Sequence, residues 1–301
     1  MGIFVETVIR APMEALWSHC QDPVAHQRWD VRFSTIEYLP RDRNEPQRFR
    51  YATRMGFGLV VAGVGETVAS RDLPGGARAS SIRFSSLHPL SLIREGSGYW
   101  KYAATPDGVR FATWYDYRTR HGRLGAVVDR FAFRPLMGWA TAWSFDRLRL
   151  WLERGIPPAA SARAAAVHTI ARLGLAAVFV YHGLVPKLLW PDPAELAMLG
   201  NTGVPEAALG SALVAFAAVE LALAVVLVAF WHRRWPAVAA VLFAVAASTG
   251  VALSSPDYLR AAFNPGIVNI AVAALAVIDL LALPDAPDAG RCRRRPAEGD
   301  R

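Results

Sequence analysis

Residues 209–231 constrain this chain more than any other stretch. Within them ALVAFAAVELALAVVLVAF runs from Ala212 to Phe230 with a single polar interruption, Glu220. About 20 apolar residues is the length that crosses the hydrocarbon core of a bilayer as a helix. A carboxylate at the centre of such a span costs roughly 2.5–3.5 kcal/mol on insertion scales, so Glu220 should face other helices or a cavity and not lipid. Comparable runs at about 173–190, 236–254 and 265–283 supply neighbours, and four spans fit the C-terminal part of the chain. A large soluble helical core is the competing reading, but soluble helices carry a polar face and these barely do.

The first 154 residues are different. They mix charged and apolar residues as a soluble domain does, and after Arg154 charge almost vanishes except at the ends of the apolar runs. The formal net charge of +8 lies mostly on this first part. Its arginines are scattered singly, with no basic helix and no aromatic RNA-binding motif, so anionic lipid is the expected counter-charge and nucleic acid is not. Cys20 and Cys292 have no spacing for zinc or a CxxC redox pair. No positively charged segment followed by an apolar core opens the chain, so no cleavable signal is expected.

Residues 3–10 alternate with the period of a strand, and Ala11-Pro12 ends them before a short helix over PMEALWSHC. Strand-like runs follow at 33–39, 48–55, 59–70, 77–86, 92–103 and 109–120, with turn signals at Leu73-Pro74-Gly75-Gly76 and Thr105-Pro106-Asp107-Gly108. Helical periodicity returns over 124–154, divided by Pro135. In this order of elements, in the opening VIRAPMEALWSHCQDP and in the closing helix, residues 1–154 resemble the START-like superfamily (SRPBCC, polyketide cyclase/dehydratase-like). The resemblance implies an α+β helix-grip fold, a curved sheet around its last helix with an apolar cavity between them. Members bind lipids, sterols, polyketides or hormones and only some are enzymes, so fold alone does not assign a reaction.

In the last strand Thr113, Tyr115 and Tyr117 share the face expected to meet the final helix, while Asp116, Arg118 and Arg120 share the other. Trp139 and Trp143, four apart, share one helical face. These five are the candidate pocket residues, with ordinary core packing as the alternative. His19-Cys20 with His26 does not make a metal site, because adjacent helical residues point in different directions. Gly56-Phe57-Gly58 and Gly63-Val64-Gly65 lack the third glycine and the helix of a dinucleotide loop and instead mark strand bends or a turn. No catalytic motif is recognised, and whether the chain is an enzyme is left open.

Residues 155–167 are small and proline-bearing and read as a linker. Beyond them HGLVPKLL from His182, Pro191-Asp192-Pro193 and Ala262-Phe263-Asn264-Pro265 give residues 168–284 a resemblance to the DoxX-like family, which implies an all-α four-helix transmembrane bundle. A few members of the wider group are associated with quinone-linked sulfur oxidation or membrane redox complexes, which makes quinone the one cofactor the resemblance suggests. Residues 285–301 read as a basic tail. Arg163 and Arg172, Arg233 and Arg234, and Arg291 with Arg293–Arg295 mark one side, so the positive-inside rule places both termini and the first domain in the cytoplasm at the cell (inner) membrane.

His182 and Glu220 are expected at similar depth and to pair, either as a proton relay or quinone contact or as a structural hydrogen bond. Lys187 is expected to snorkel to the outer interface. Asp279 lies toward the cytoplasmic end and Asn269 toward the outer one. The function expected is a cytoplasmic START-like domain that exchanges a lipid or other hydrophobic small molecule with the bilayer, with a homo-oligomer among the open assemblies. The alternatives are a membrane subunit with a redox partner, and a cyclase or dehydratase enzyme.

Overall fold

The computed structural model describes residues 2–42, 45–55, 57–262 and 264–296. It divides into two compact units: the residues up to Ala162 together with those from Pro287 onward, and Arg163–Ala286.

The first unit is built on seven antiparallel strands: β1 (Ile3–Ile9), β2 (Thr35–Tyr38), β3 (Arg48–Arg54), β4 (Val60–Leu73), β5 (Ala77–Ser85), β6 (Ile93–Thr105) and β7 (Gly108–Thr119). Their spatial order is β1-β7-β6-β5-β4-β3-β2. Chain neighbours pair as hairpins except that β1 closes onto β7, with Val5 opposite Thr113. Two short helices, α1 (Met13–Gln21) and α2 (Pro23–Trp29), fill the connection from β1 to β2. Asp22 caps α2, accepting from the Val24 amide, and Pro23 occupies the first turn, where a missing N–H costs nothing. After β7 come α3 (Gly122–Val128), one π-helical turn over Asp129–Phe133, and α4 (Arg134–Arg154), which carries Pro135 in its first turn and ends on Gly155 in the left-handed conformation (φ 66°). This is the expected helix-grip arrangement.

The inner sheet face and α4 close on an aromatic core. Phe111 stacks on Phe145 with ring centroids 4.2 Å apart and on Tyr102 at 5.0 Å, and Trp29 meets Phe145 edge-on at 6.2 Å. Gly63 and Gly65 lie within β4 beneath the rings of Tyr51 and Phe49. They are thus places of close side-chain approach in the sheet. Gly58 (φ 75°) turns the β3–β4 hairpin; Gly56 lies outside the described residues.

Two expected boundaries change. The linker over 155–167 is instead mostly helix: α5 (Pro158–Leu184) starts at its second proline, because AASARAAA is a run of good helix formers. The C-terminal segment does not behave as a free tail from 285. Ala289 and Cys292 are buried in the core of the first unit, Asp288 donates its amide to Asp146, and Arg293 exchanges both backbone hydrogen bonds with Glu6 on the edge strand β1 at 2.8 and 2.9 Å. The segment covers an otherwise open sheet edge. The first unit is therefore assembled from residues that precede and residues that follow the membrane helices in sequence.

The second unit contains four helices of membrane-spanning length and composition, Pro158–Leu189, Glu206–Ala229, Trp235–Ser254 and Pro265–Asp285, the first of which starts in the other unit. They comprise α5 with a π-helical turn over Val185–Leu189, α7 (Leu209–Ala229), α8 (Trp235–Ser254) and α9 (Pro265–Ala282), with a short α6 (Pro193–Asn201) after the first span. The core uses small side chains, Ala224, Ala237, Ala240, Ala244 and Ala276, around Leu175, Phe179 and Leu227. Small residues let backbones approach where lipid gives no hydrophobic drive to association. At Gly183 a Cβ would stand 3.0 Å from the Ala217 carbonyl oxygen, so α5 and α7 touch closely there.

Candidate functional site

In the first unit the chemistry gathers where the α2–β2 connection passes between sheet and α4. Asp30 is fully buried, and both of its oxygens are engaged by Arg32, Nε at 2.9 Å and Nη2 at 2.6 Å. His26 Nε2 lies 3.1 Å from Oδ2, and Ser144 on α4 donates to Oδ1 at 3.4 Å. Burial by itself pushes the Asp30 carboxyl up, but the Arg32 guanidinium and the hydrogen bonds from Arg32 and His26 outweigh it and hold the group well below the usual carboxylate range. Arg32 in turn sits 5.5 Å from the centroid of the Tyr115 ring and 5.6 Å from that of Phe33.

Thr113, Tyr115 and Tyr117 do share the inner face and are buried. Each hydroxyl already has a protein partner. Tyr115 Oη is 2.9 Å from Thr141 Oγ1, Tyr117 donates to Asp129 at 2.6 Å, and Thr113 donates to the Tyr99 carbonyl at 3.1 Å. Burial, followed by the hydrogen bond to Asp129 and its charge, raises the Tyr117 phenol far above its ordinary value. Trp139 and Trp143 stack at 6.0 Å, but Trp139 is 45% exposed and lies on the opposite side of α4 from Thr141. Trp139 is therefore not brought to the three β7 residues, whereas Trp143 packs, partly buried, against the core that contains Tyr115 and Tyr117. A groove of about 740 Å³ is lined wholly by sheet residues, among them Arg48, Glu66, Arg83, Glu95 and Arg118, with no contribution from α4. It is a charged groove on the sheet, unlike the apolar space expected under the helix.

Large apolar side chains collect at one end of the sheet. The antiparallel order puts the β3–β4 turn, the β5–β6 loop and the start of α3 at that same end. Phe57, Leu87, Leu90, Leu124 and Phe131 stand well exposed there. Ser86 ties the loops together, donating to the Ala62 carbonyl and accepting from Arg120.

Among the described residues of the second unit the buried charged groups form two clusters, and neither is the expected His182–Glu220 pair. Glu220 on α7 meets Lys187, with Nζ 3.0 Å from Oε2. The same ammonium is 3.0 Å from Glu195 Oε2 on α6 and donates to the His182 carbonyl at 3.3 Å. The reason is local. Pro186 has no N–H for the carbonyl four residues before it, the helix loosens to a π turn, and Lys187 swings inward to the orphaned His182 oxygen. Lys187 is buried and does not snorkel. His182 contributes its backbone and keeps its ring beside Tyr181.

Asp279 on α9 is fully buried between His168 Nδ1 at 2.5 Å and Arg172 Nη1 at 2.9 Å, both on α5. The rest of the Arg172 guanidinium donates to the carbonyls of Leu227, Phe230 and Arg233, capping the C-terminal end of α7. Arg172 is thus not the charge preceding the first span that its sequence position suggests. It is a buried tie joining three helices, because the first span begins earlier than the apolar run. His168 and Arg172 stand four apart, one helical face, which is the signal the sequence carries. Asn269 is half-buried on α9 and belongs to neither cluster; Asn264 caps that helix, accepting from the Ile267 amide at 2.9 Å, and Phe263 lies outside the described residues. For Asp30 and Arg32 the sequence offers only two charges beside a tryptophan in a loop.

Comparisons agree with this two-part organisation. Residues 1–152 match the family described as polyketide cyclase / dehydrase and lipid transport, and residues 176–277 match the DoxX-like family. An uncharacterized membrane protein, YndG of Bacillus subtilis (strain 168), is 47% identical over 182 residues, 60% of this chain and 68% of that protein. Among solved structures, TTHA0849 from Thermus thermophilus is 18% identical with a TM-score of 0.41, covering 52% of this chain and 99% of its own. A STAR-related lipid transfer protein from Xanthomonas axonopodis is 15% identical with a TM-score of 0.37, covering 50% of this chain and 84% of its own fragment. The chain is a membrane protein that belongs to the polyketide cyclase / dehydrase and lipid transport family through its START-like domain and carries a DoxX-like region after it.

Proposed function

We propose that the START-like domain holds a hydrophobic small molecule or lipid that it exchanges with the bilayer in which the chain is anchored. One observation carries this reading: a domain of a family described by polyketide chemistry and lipid transport is covalently continuous with four helices of membrane-spanning length. An apolar molecule leaving a membrane is disfavoured in water in proportion to its exposed area, so a binding domain tethered at the surface shortens the unfavourable path. The apolar rim formed by Phe57, Leu87, Leu90, Leu124 and Phe131 is where such a molecule would enter. The arginine distribution supports a cytoplasmic position for this domain at the inner membrane.

The test is mass spectrometry of the full chain purified in detergent, compared with Phe57→Asp and Leu87→Asp variants. A lipid or other apolar molecule that co-purifies with the unmodified chain and is depleted in the variants is the expected result. A co-purified quinone unaffected by the rim variants would move the function to the membrane half, and turnover of an aromatic polyketide would make the protein a cyclase. Absence of any stoichiometric apolar molecule overturns the carrier reading.

A further inference from the structure

The cluster around Lys187 does not balance. One ammonium faces two carboxylates, Glu195 and Glu220, each 3.0 Å away. With all three ionised the cluster holds one uncompensated negative charge among apolar helices, where charge is expensive. The groups differ in how well they are served. Glu195 accepts a hydrogen bond from Lys187 at 3.3 Å and its side chain is 21% exposed. Glu220 is 6% exposed, and its Oε2 is wholly enclosed and receives no hydrogen bond, although the ammonium stands at charge-pair distance. A metal cation has no place there, because the ammonium already occupies the point between the carboxylates.

We propose that Glu220 is a proton-binding site, its carboxyl protonated while Lys187 and Glu195 form the ion pair beside it. The proton comes from water and returns to water through Glu195, the most exposed member, so that the site opens at the end of the first span remote from Pro158. No bond other than O–H forms or breaks, and the cluster goes from one net negative charge to neutral. Among the described residues, the other charged and titratable groups of the packed elements do not supply the missing charge: Glu206, on the turn before α7, is itself an exposed carboxylate. The His182 ring stands beside Tyr181. Asp192 is occupied in capping α6 and is exposed. Asp257, on the turn after α8, is exposed and paired with Arg260 at 2.9 Å. This proton site lies wholly in the second unit and does not depend on what the START-like domain binds.

Infrared spectroscopy of the full chain in lipid nanodiscs at pH 7 tests it through the carboxylic C=O stretch, which only a protonated carboxyl shows. The difference spectrum between the unmodified chain and Glu220→Gln is expected to contain one such band, shifted by deuterium oxide. Glu195→Gln is expected to abolish the same band without touching Glu220, because the remaining carboxylate then balances Lys187 and ionises. This second variant separates a charge-coupled proton site from a carboxyl held neutral by burial alone, and it serves if Glu220→Gln does not fold. Absence of the band from the difference spectrum of either folded variant overturns the proposal: from Glu220→Gln because Glu220 is then ionised, from Glu195→Gln because the cluster charge does not govern it.

Discussion

Replacing Asp30 by Asn keeps the shape of the side chain and removes its charge. In the folded domain this leaves Arg32, 10% exposed at its side chain, facing a neutral amide where two charged contacts at 2.6 and 2.9 Å had been. Removing one member of a buried pair costs about 3–5 kcal/mol, mostly from the stranded partner. For a unit of this size each kcal/mol moves the midpoint by roughly 2–4 °C, so Asp30→Asn should lower the domain's melting temperature by about 6–20 °C. The assay is thermal unfolding of the full chain in detergent, with hydrogen exchange on residues 22–36 and 140–148 to assign the transition to this domain. Arg32→Met placed on top of Asp30→Asn removes the stranded charge and should recover a large part of the loss. The pH dependence has a definite sign. Because the folded Asp30 carboxyl is held below its unfolded value, its contribution is complete above the ordinary aspartate range, near about 4, and is lost only as pH falls well below it. A loss under about 1 kcal/mol in Asp30→Asn, far below the range for a broken buried pair, or a double variant no more stable than the single one, would refute the assignment of Asp30 and Arg32 as a mutually dependent buried pair.

Cys20 and Cys292 should resist a thiol reagent at about pH 8 in the native chain and react after denaturation in detergent, since burial pushes the Cys292 thiol up to about 12 and the Cys20 thiol higher still. Rapid native labelling of Cys292 would show that the C-terminal segment is not packed in the START-like domain. Orientation is checked by single cysteines at exposed positions in a Cys20→Ala, Cys292→Ala background: Thr202→Cys should react with a membrane-impermeant reagent from outside the cell and Arg234→Cys should not. The opposite pattern would place the START-like domain outside the cytoplasm.

The two-part plan is legible in the residues alone, and the reason is physical. Four long apolar runs have no aqueous solution except the bilayer, and the alternation of the first 120 residues, broken by Pro and Gly pairs, specifies successive antiparallel strands. Glu220, Lys187 and Asp279 stand out as functional or structural polar groups because any charge inside an apolar run demands a partner. Their partners do not. Depth along an ideal helix matches Glu220 with His182, whereas Pro186 opens a π turn that carries Lys187 inward, a rotation that no count of residues along a regular helix contains. Arg172 is hidden when the span is read from its apolar composition, because an arginine that meets Asp279 and three backbone carbonyls at the end of α7 can lie inside a helix bundle that lipid alone would exclude. That residues 287–293 complete the first domain is a matter of tertiary structure, since the Glu6–Arg293 bridge joins residues 287 positions apart and is written in no local pattern. The same holds for Asp30, Arg32 and Ser144: two loop residues and a helix residue 114 positions from Asp30 become one buried network only when the sheet curls around α4.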